Sequence, residues 1–126
     1  MRHVKRPAAL TLESRFIGGL PLVNAILARL QVDRLLAGAL PAGGRVSAAQ
    51  ALGVLLRNIV LNDRQPIYTH AEWAARVEPA LLGVAEGEAA FLNDDRVGRA
   101  LDRLFDADRA ALLTDLVLRT IREFRV

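Results

Sequence analysis

The chain has 126 residues, 52% of them apolar and 25% charged, with a net charge of +3. That balance excludes a disordered polyelectrolyte and suffices for one domain that buries roughly two-thirds of its unfolded surface. With no cysteine, disulfide frameworks and thiolate metal sites are excluded too, in keeping with a reducing cytoplasm. The charge is uneven. Residues 1–76 hold ten Arg/Lys against four Asp/Glu, net +6, whereas residues 77–126 hold seven against ten, net −3. A basic first half suits a polyanion such as DNA, and it equally describes a solvated surface.

Residues 1–19 read as an arm. Arg2, His3, Lys5 and Arg6 cluster before Pro7, and residues 11–17 alternate as a short extended piece. Its apolar part is too short and too broken for a signal peptide. Such a basic arm either lies along phosphates or stays unordered.

From residue 20 onward the pattern is helical. Leu22, Val23, Ile26, Leu27 and Leu30 form the stripe of a first helix, with Pro21 tolerated near its start. Asp33 is expected to cap a shorter second helix through Leu35, Leu36 and Leu40, stopped by Pro41-Ala42-Gly43-Gly44. Residues 47–62 are the organising stretch, apolar after Gln50 except at Arg57 and Asn58. Ala48, Ala51, Leu52, Leu55, Leu56, Ile59 and Val60 recur at helical steps, and Val54 and Leu61 widen the greasy face. Ser47 with Gln50 makes a capping box. The run of about ten apolar residues is too short to span a membrane, so it predicts a core helix.

Asp63-Arg64-Gln65-Pro66 predicts a turn, and Thr69 with Glu72 predicts a second capping box before Ala71, Trp73, Ala74 and Val77. Tyr68 and Trp73 could stack on bases, although a lone Trp on an apolar helical face normally belongs to the core. Residues 81–90 read as a connection. Asn93-Asp94-Asp95 then opens a helix with Val97, Ala100, Leu101, Leu104 and Phe105 on one side. Asp106 is expected to cap the last helix, with Leu112, Leu113, Leu116, Val117, Ile121 and Phe124 as its stripe. The expected fold is all-α: a compact bundle of about six helices around the central apolar helix 47–62. A short extended basic arm, 1–19, precedes this single helical domain, 20–126.

No complete active site is visible. Asp94 and Asp95 are adjacent carboxylates, but neighbours on a helix point about 100° apart. In a first turn they serve the cap and the macrodipole instead. His3 and His70 lie in unrelated segments. Gly18-Gly19 and Gly43-Gly44 lack the Lys-Ser/Thr context of a phosphate loop. Arg96, Arg99 and Arg103 share one helical face, suited to phosphates or, interleaved with Asp95 and Asp102, to plain solvation. Arg57 and Arg64 bracket the end of the central helix with little acid nearby in sequence.

The block Leu92-Asn93-Asp94-Asp95-Arg96-Val97-Gly98-Arg99-Ala100-Leu101-Asp102-Arg103-Leu104-Phe105 resembles a signature of DDE-type insertion-sequence transposases. The signature belongs to their helical N-terminal module, a domain of unknown function. Other landmarks follow in order: Leu20-Pro21-Leu22, Asp33-Arg34-Leu35-Leu36, Gly44-Arg45-Val46-Ser47, and Pro66-Ile67-Tyr68 with Ala71-Glu72-Trp73. The resemblance covers residues 12–126. It implies a bacterial, cytoplasmic protein of DNA transposition whose chemistry sits in a downstream RNase H-like domain. There two Asp and one Glu hold two divalent metals, Mg, to activate water and a 3′ hydroxyl.

No residue of this chain matches that triad, and the chain ends about where the family's linker begins. The implied module is therefore non-catalytic and without a cofactor of its own, and it aids binding of the element's ends. Its implied partners are DNA, the transposase catalytic domain and a second copy of itself, with no membrane. The expected DNA contacts are Arg2, Lys5, Arg6, Arg45, Arg57 and Arg64, followed by Arg96 and Arg99. Asn93, Asp94, Asp95 and Arg96 carry the family motif and its caps. The competing expectation is a protein-interaction module that self-associates or docks through the apolar last helix.

Overall fold

A computed structural model of the chain describes residues 12, 14–15, 17–61 and 67–126. These form seven α-helices: α1 (Leu20–Leu30), α2 (Val32–Ala39), α3 (Ala48–Leu61), α4 (His70–Arg76), α5 (Pro79–Leu82), α6 (Asp94–Asp106) and α7 (Arg109–Phe124). Short 3-10 turns, Ile67–Thr69 and Glu88–Phe91, precede α4 and α6. The fold is all-α, as expected. Within the connection expected at 81–90, the chain makes the end of α5 and most of the second 3-10 turn. Among the described residues no helix is long and apolar enough to cross a membrane.

The central position of α3 follows from its sequence. Ala48, Ala49, Ala51, Leu52, Val54 and Leu55 are all buried, and α3 packs chiefly against α6 and α2. Its start is closed by the expected box. Ser47 N–H donates to Gln50 Oε1 at 3.0 Å, and Gln50 N–H donates to Ser47 Oγ at 3.1 Å. Two orphan donors are thereby satisfied, a contribution of about 1 kcal/mol. Leu20, Leu82 and Leu92 are fully buried around this helix, each contributing roughly 1.5–3 kcal/mol relative to exposure. The last turn of α3 departs from the pattern: Ile59 and Val60 are exposed.

Arg57, expected on the DNA-facing surface, is only 4% exposed. Its Nη2 donates to Asp33 Oδ2 at 2.8 Å, Nη1 to Asp33 Oδ1 at 3.2 Å and to the Gly53 carbonyl at 2.9 Å, and Nε to Asn24 Oδ1 at 2.7 Å. The guanidinium therefore ties α1, α2 and α3 together. Asp33, expected as the cap of α2, instead supplies the carboxylate, and Gln31 precedes α2 with no side-chain capping bond. The arrangement also explains a glycine inside a buried helix, where it costs up to about 1 kcal/mol relative to Ala. A Cβ on Gly53 would lie 2.9 Å from Asp33 Oδ1 and 3.1 Å from Arg57 Nη1. Close approach of the ion pair requires the missing side chain.

Other caps differ in detail. Asp106 ends α6, and it is Asp108 whose carboxylate accepts from Ala111 N–H at 3.0 Å to cap α7. Thr69 and Glu72 do not form a box, because the 3-10 turn runs straight into α4 with Thr69 already in the helical region. Trp73 belongs to the core, stacked on the buried His70 with ring centroids 6.0 Å apart, whereas Tyr68 is exposed. Burial holds the His70 imidazole below its ordinary pKa.

The corner between α1 and α2 is Gln31, in the left-handed region at φ 53°. Its N–H bonds back to Leu27 and Ala28, and its Oε1 accepts from Arg119 Nη1 at 2.6 Å. Arg29 adds an ion pair to Glu123 at 2.9 Å and lies over the Phe124 ring. These contacts seat the second half of α7 against α1. From the preceding segment, Arg15 reaches Glu78 at 2.9 Å and also pairs with Glu86. Its hydrogen bond holds the Glu86 carboxyl below the usual carboxylate range.

Candidate nucleic-acid interface

The site begins with the cap of α6. Asn93 Oδ1 accepts from Arg96 N–H at 2.9 Å, and Asp94 Oδ1 accepts from Asp95 N–H at 3.1 Å. The Asn93-Asp94-Asp95 block thus starts the helix, as its composition predicts, and Val97 and Ala100 fix the rotation by burying against the core. With those two inside, helical geometry of about 100° per residue gathers Arg96, Arg99 and Arg103 into one sector. Asp95, Asp102 and Asp106 fall in the sector beside it.

Across from the arginine row runs the segment joining α2 to α3, with Gly43 at φ 144° and Gly44 at φ 77°. Only glycine adopts such angles without penalty. Gly44 has a second constraint, since a Cβ there would lie 2.8 Å from Arg96 Nη1. Arg96 Nη1 donates to the carbonyl of the buried Val46 at 3.1 Å, which clamps the guanidinium against the turn. Arg96 Nε is enclosed without a hydrogen-bond partner, a cost of about 1–3 kcal/mol for a buried donor.

Between row and turn lies a cleft of about 180 Å³, lined by Ala42, Gly43, Gly44, Val46, Ala48, Arg96, Arg99, Ala100 and Arg103. Arg45 is exposed at its edge in sequence, its guanidinium 5.1 Å from the centroid of Phe91. Among the described residues no carboxylate lies within ion-pair distance of Arg45, Arg96, Arg99 or Arg103. Arg99 Nε makes only a long bond, 3.4 Å, to the carbonyl of Asp95. The acids that interleave with this row in sequence form no ion pair with it.

The expected contact residues therefore divide. Arg45, Arg96 and Arg99 lie on or beside one cleft, and Arg103 joins them. Arg57 is withdrawn into the interior by Asp33 and Asn24. Arg2, Lys5, Arg6 and Arg64 lie outside the described residues. Reading of the sequence did not couple Gly43-Gly44 to Arg96, because some fifty positions separate them. The available signal was a glycine pair just before a basic residue and a helix start. Among the described residues no three of His, Asp and Glu converge as metal ligands.

A second feature is apolar. Leu113, Val117, Ile121 and Phe124 are exposed along one stripe of α7, while Leu112 and Leu116 pack against the core. Beneath them is a groove of about 270 Å³ walled by α2, α3, α6 and α7, with Ile59 at the exposed end of α3 among its lining residues.

Compared with known proteins, the chain matches the family model described as Domain of unknown function (DUF4277) over residues 12–118. No curated protein and no solved structure matches it. With most of its length inside that match, from ahead of α1 into α7, the chain belongs to the DUF4277 family.

Proposed function

We propose that this domain is a non-catalytic, DNA-contacting module of a DDE-type insertion-sequence transposase, aiding capture of the element's ends. The observation that carries the reading is the row Arg96, Arg99 and Arg103, unpaired with any carboxylate among the described residues, facing the Gly43-Gly44 turn with Arg45 exposed just beyond it. Seven residues at about 1.5 Å rise place Arg96 and Arg103 roughly 10 Å apart along the helix axis. Long arginine side chains can span that distance to converge on the backbone of one DNA strand. The transposase assignment draws further support from the resemblance of residues 92–105 to that family's signature. In such proteins strand cutting belongs to a separate metal-binding domain, which is the second partner proposed here.

The test is fluorescence anisotropy of a labelled duplex titrated with the full chain at several salt concentrations. The expected slope of log K against log salt is negative, about −0.9 for each phosphate contacted. Absence of binding at low salt would remove the DNA role. The stripe Leu113, Val117, Ile121 and Phe124 favours a second reading, in which α7 docks on the catalytic domain or on another copy. Sedimentation velocity across a hundredfold concentration range tests self-association, and a concentration-independent monomer would sink that part of it.

A further inference from the structure

We infer that the cleft between α6 and the Gly43-Gly44 turn seats one phosphate group, with Arg96, Arg99 and Arg103 as its ligands. The inference rests on the DNA-contact reading and sharpens it: one phosphate of the sugar–phosphate backbone is held inside the cleft while its neighbours are met at the surface. Three arginines line one small space with no carboxylate within ion-pair distance among the described residues. Like charges so arranged repel one another unless an anion sits between them.

The size of the cleft agrees. At about 180 Å³ it is below the roughly 300 Å³ at which sites for drug-sized ligands begin. It suits a compact oxyanion better than a base or a nucleoside. Gly43 and Gly44 leave one wall as bare backbone, so an anion can approach without meeting a Cβ. Arg96 is pre-oriented by its bond to the Val46 carbonyl, and planar guanidinium groups match phosphate oxygens in pairs. Its enclosed Nε–H lacks an acceptor, and a small movement of the side chain toward a bound oxyanion would supply one.

The experiment is a titration of the ¹⁵N-labelled chain with inorganic phosphate at constant ionic strength, followed by the arginine Nε–H and backbone amide signals. An acetate titration serves as reference. The expected result is saturable shifts confined to Arg96, Arg99, Arg103, Gly43 and Gly44. Arg99→Gln or Arg103→Gln should weaken phosphate by about tenfold, the loss of one charge-assisted hydrogen bond. Phosphate should also weaken binding of labelled duplex over the concentrations at which the seat fills.

Shifts that grow linearly and spread over all arginines would overturn the seat. Duplex binding that ignores phosphate and both substitutions would overturn the seat while leaving the DNA role intact. Saturable phosphate binding without duplex binding would support the seat, assign it to free phosphate and sink the DNA role. The wild-type titration alone decides the first of these outcomes, whatever the variants do to folding.

Discussion

Arg57 and the row Arg96, Arg99 and Arg103 are the same residue type on two helices that pack against each other, yet they do opposite things. Arg57 sits on the buried central helix α3 and is saturated by Asp33, Asn24 and the Gly53 carbonyl. The α6 row sits among aspartates in sequence, and in space no carboxylate pairs with it among the described residues. Local acid density pointed the wrong way in both cases. On α6 even the aspartates three and four residues from Arg99 make no ion pair with it, whereas Asp33, 24 positions before Arg57 on a packed neighbour, meets its guanidinium head-on. Proximity in sequence is a poor guide to which cations are free.

The comparison can be broken in stages. Arg57→Ala should cost about 2–3 kcal/mol in urea unfolding. That is below the roughly 3–5 kcal/mol of a fully buried pair, because the stranded Asp33 side chain, 60% exposed, keeps its water. DNA affinity per folded molecule should not change. A stable Arg57→Ala with weakened DNA binding would reverse the assignment.

Next comes pH. His70 is buried with its imidazole held below the ordinary value of about 6.5, so the unfolded chain binds that proton more readily. Its contribution is therefore complete above about pH 6.5 and is lost as pH falls, by at most about 1.4 kcal/mol per pH unit. His70→Gln should remove this component from the difference between pH 7 and pH 5 unfolding curves. An unchanged difference would show that burial does not control His70.

Gly53→Ala sharpens the account of the Arg57 node. Helix propensity alone predicts a gain of up to about 1 kcal/mol. A Cβ 2.9 Å from Asp33 Oδ1 predicts a net loss of about 1 kcal/mol instead. In an Asp33→Ala background the loss should shrink or change sign, a coupling of about 1 kcal/mol read from a double-mutant cycle. Additive effects would mean that the two residues do not crowd each other.

The smallest stability effect falls on the open row. Arg99→Ala and Arg103→Ala should move unfolding by less than about 0.5 kcal/mol. Each should weaken duplex binding and reduce the salt slope by about 1. Opposite behaviour, with stability lost and the slope kept, would mark the row as structural.

Much of the architecture was legible because its signals are local. Ser47 with Gln50 and Asn93 with Arg96 are contacts three residues apart, governed by the turn of a single helix. The apolar stripe of α3 is a statement about 3.6-residue periodicity, and it held until Ile59 and Val60, where the neighbours no longer cover the helix. Asp33 and Asp106 were misread for a common reason. A short acid near a helix start suits a cap equally well at several adjacent positions, and once packing set where each helix begins, α2 was left without a side-chain cap and α7 took Asp108.

By itself, then, the amino-acid sequence determined the all-α class, the identity of the core helix and the caps of α3 and α6. All of these depend on spacing within one turn or one face. Tertiary structure alone decided which arginines are available, because a guanidinium's partners come from other helices. It also decided that Gly53 and Gly44 are favoured for different reasons. One gives way to an ion pair delivered by α2, and the other brings a left-handed turn against Arg96. Helix periodicity is a property of adjacent residues, and the closing of a charge is a property of the packed whole.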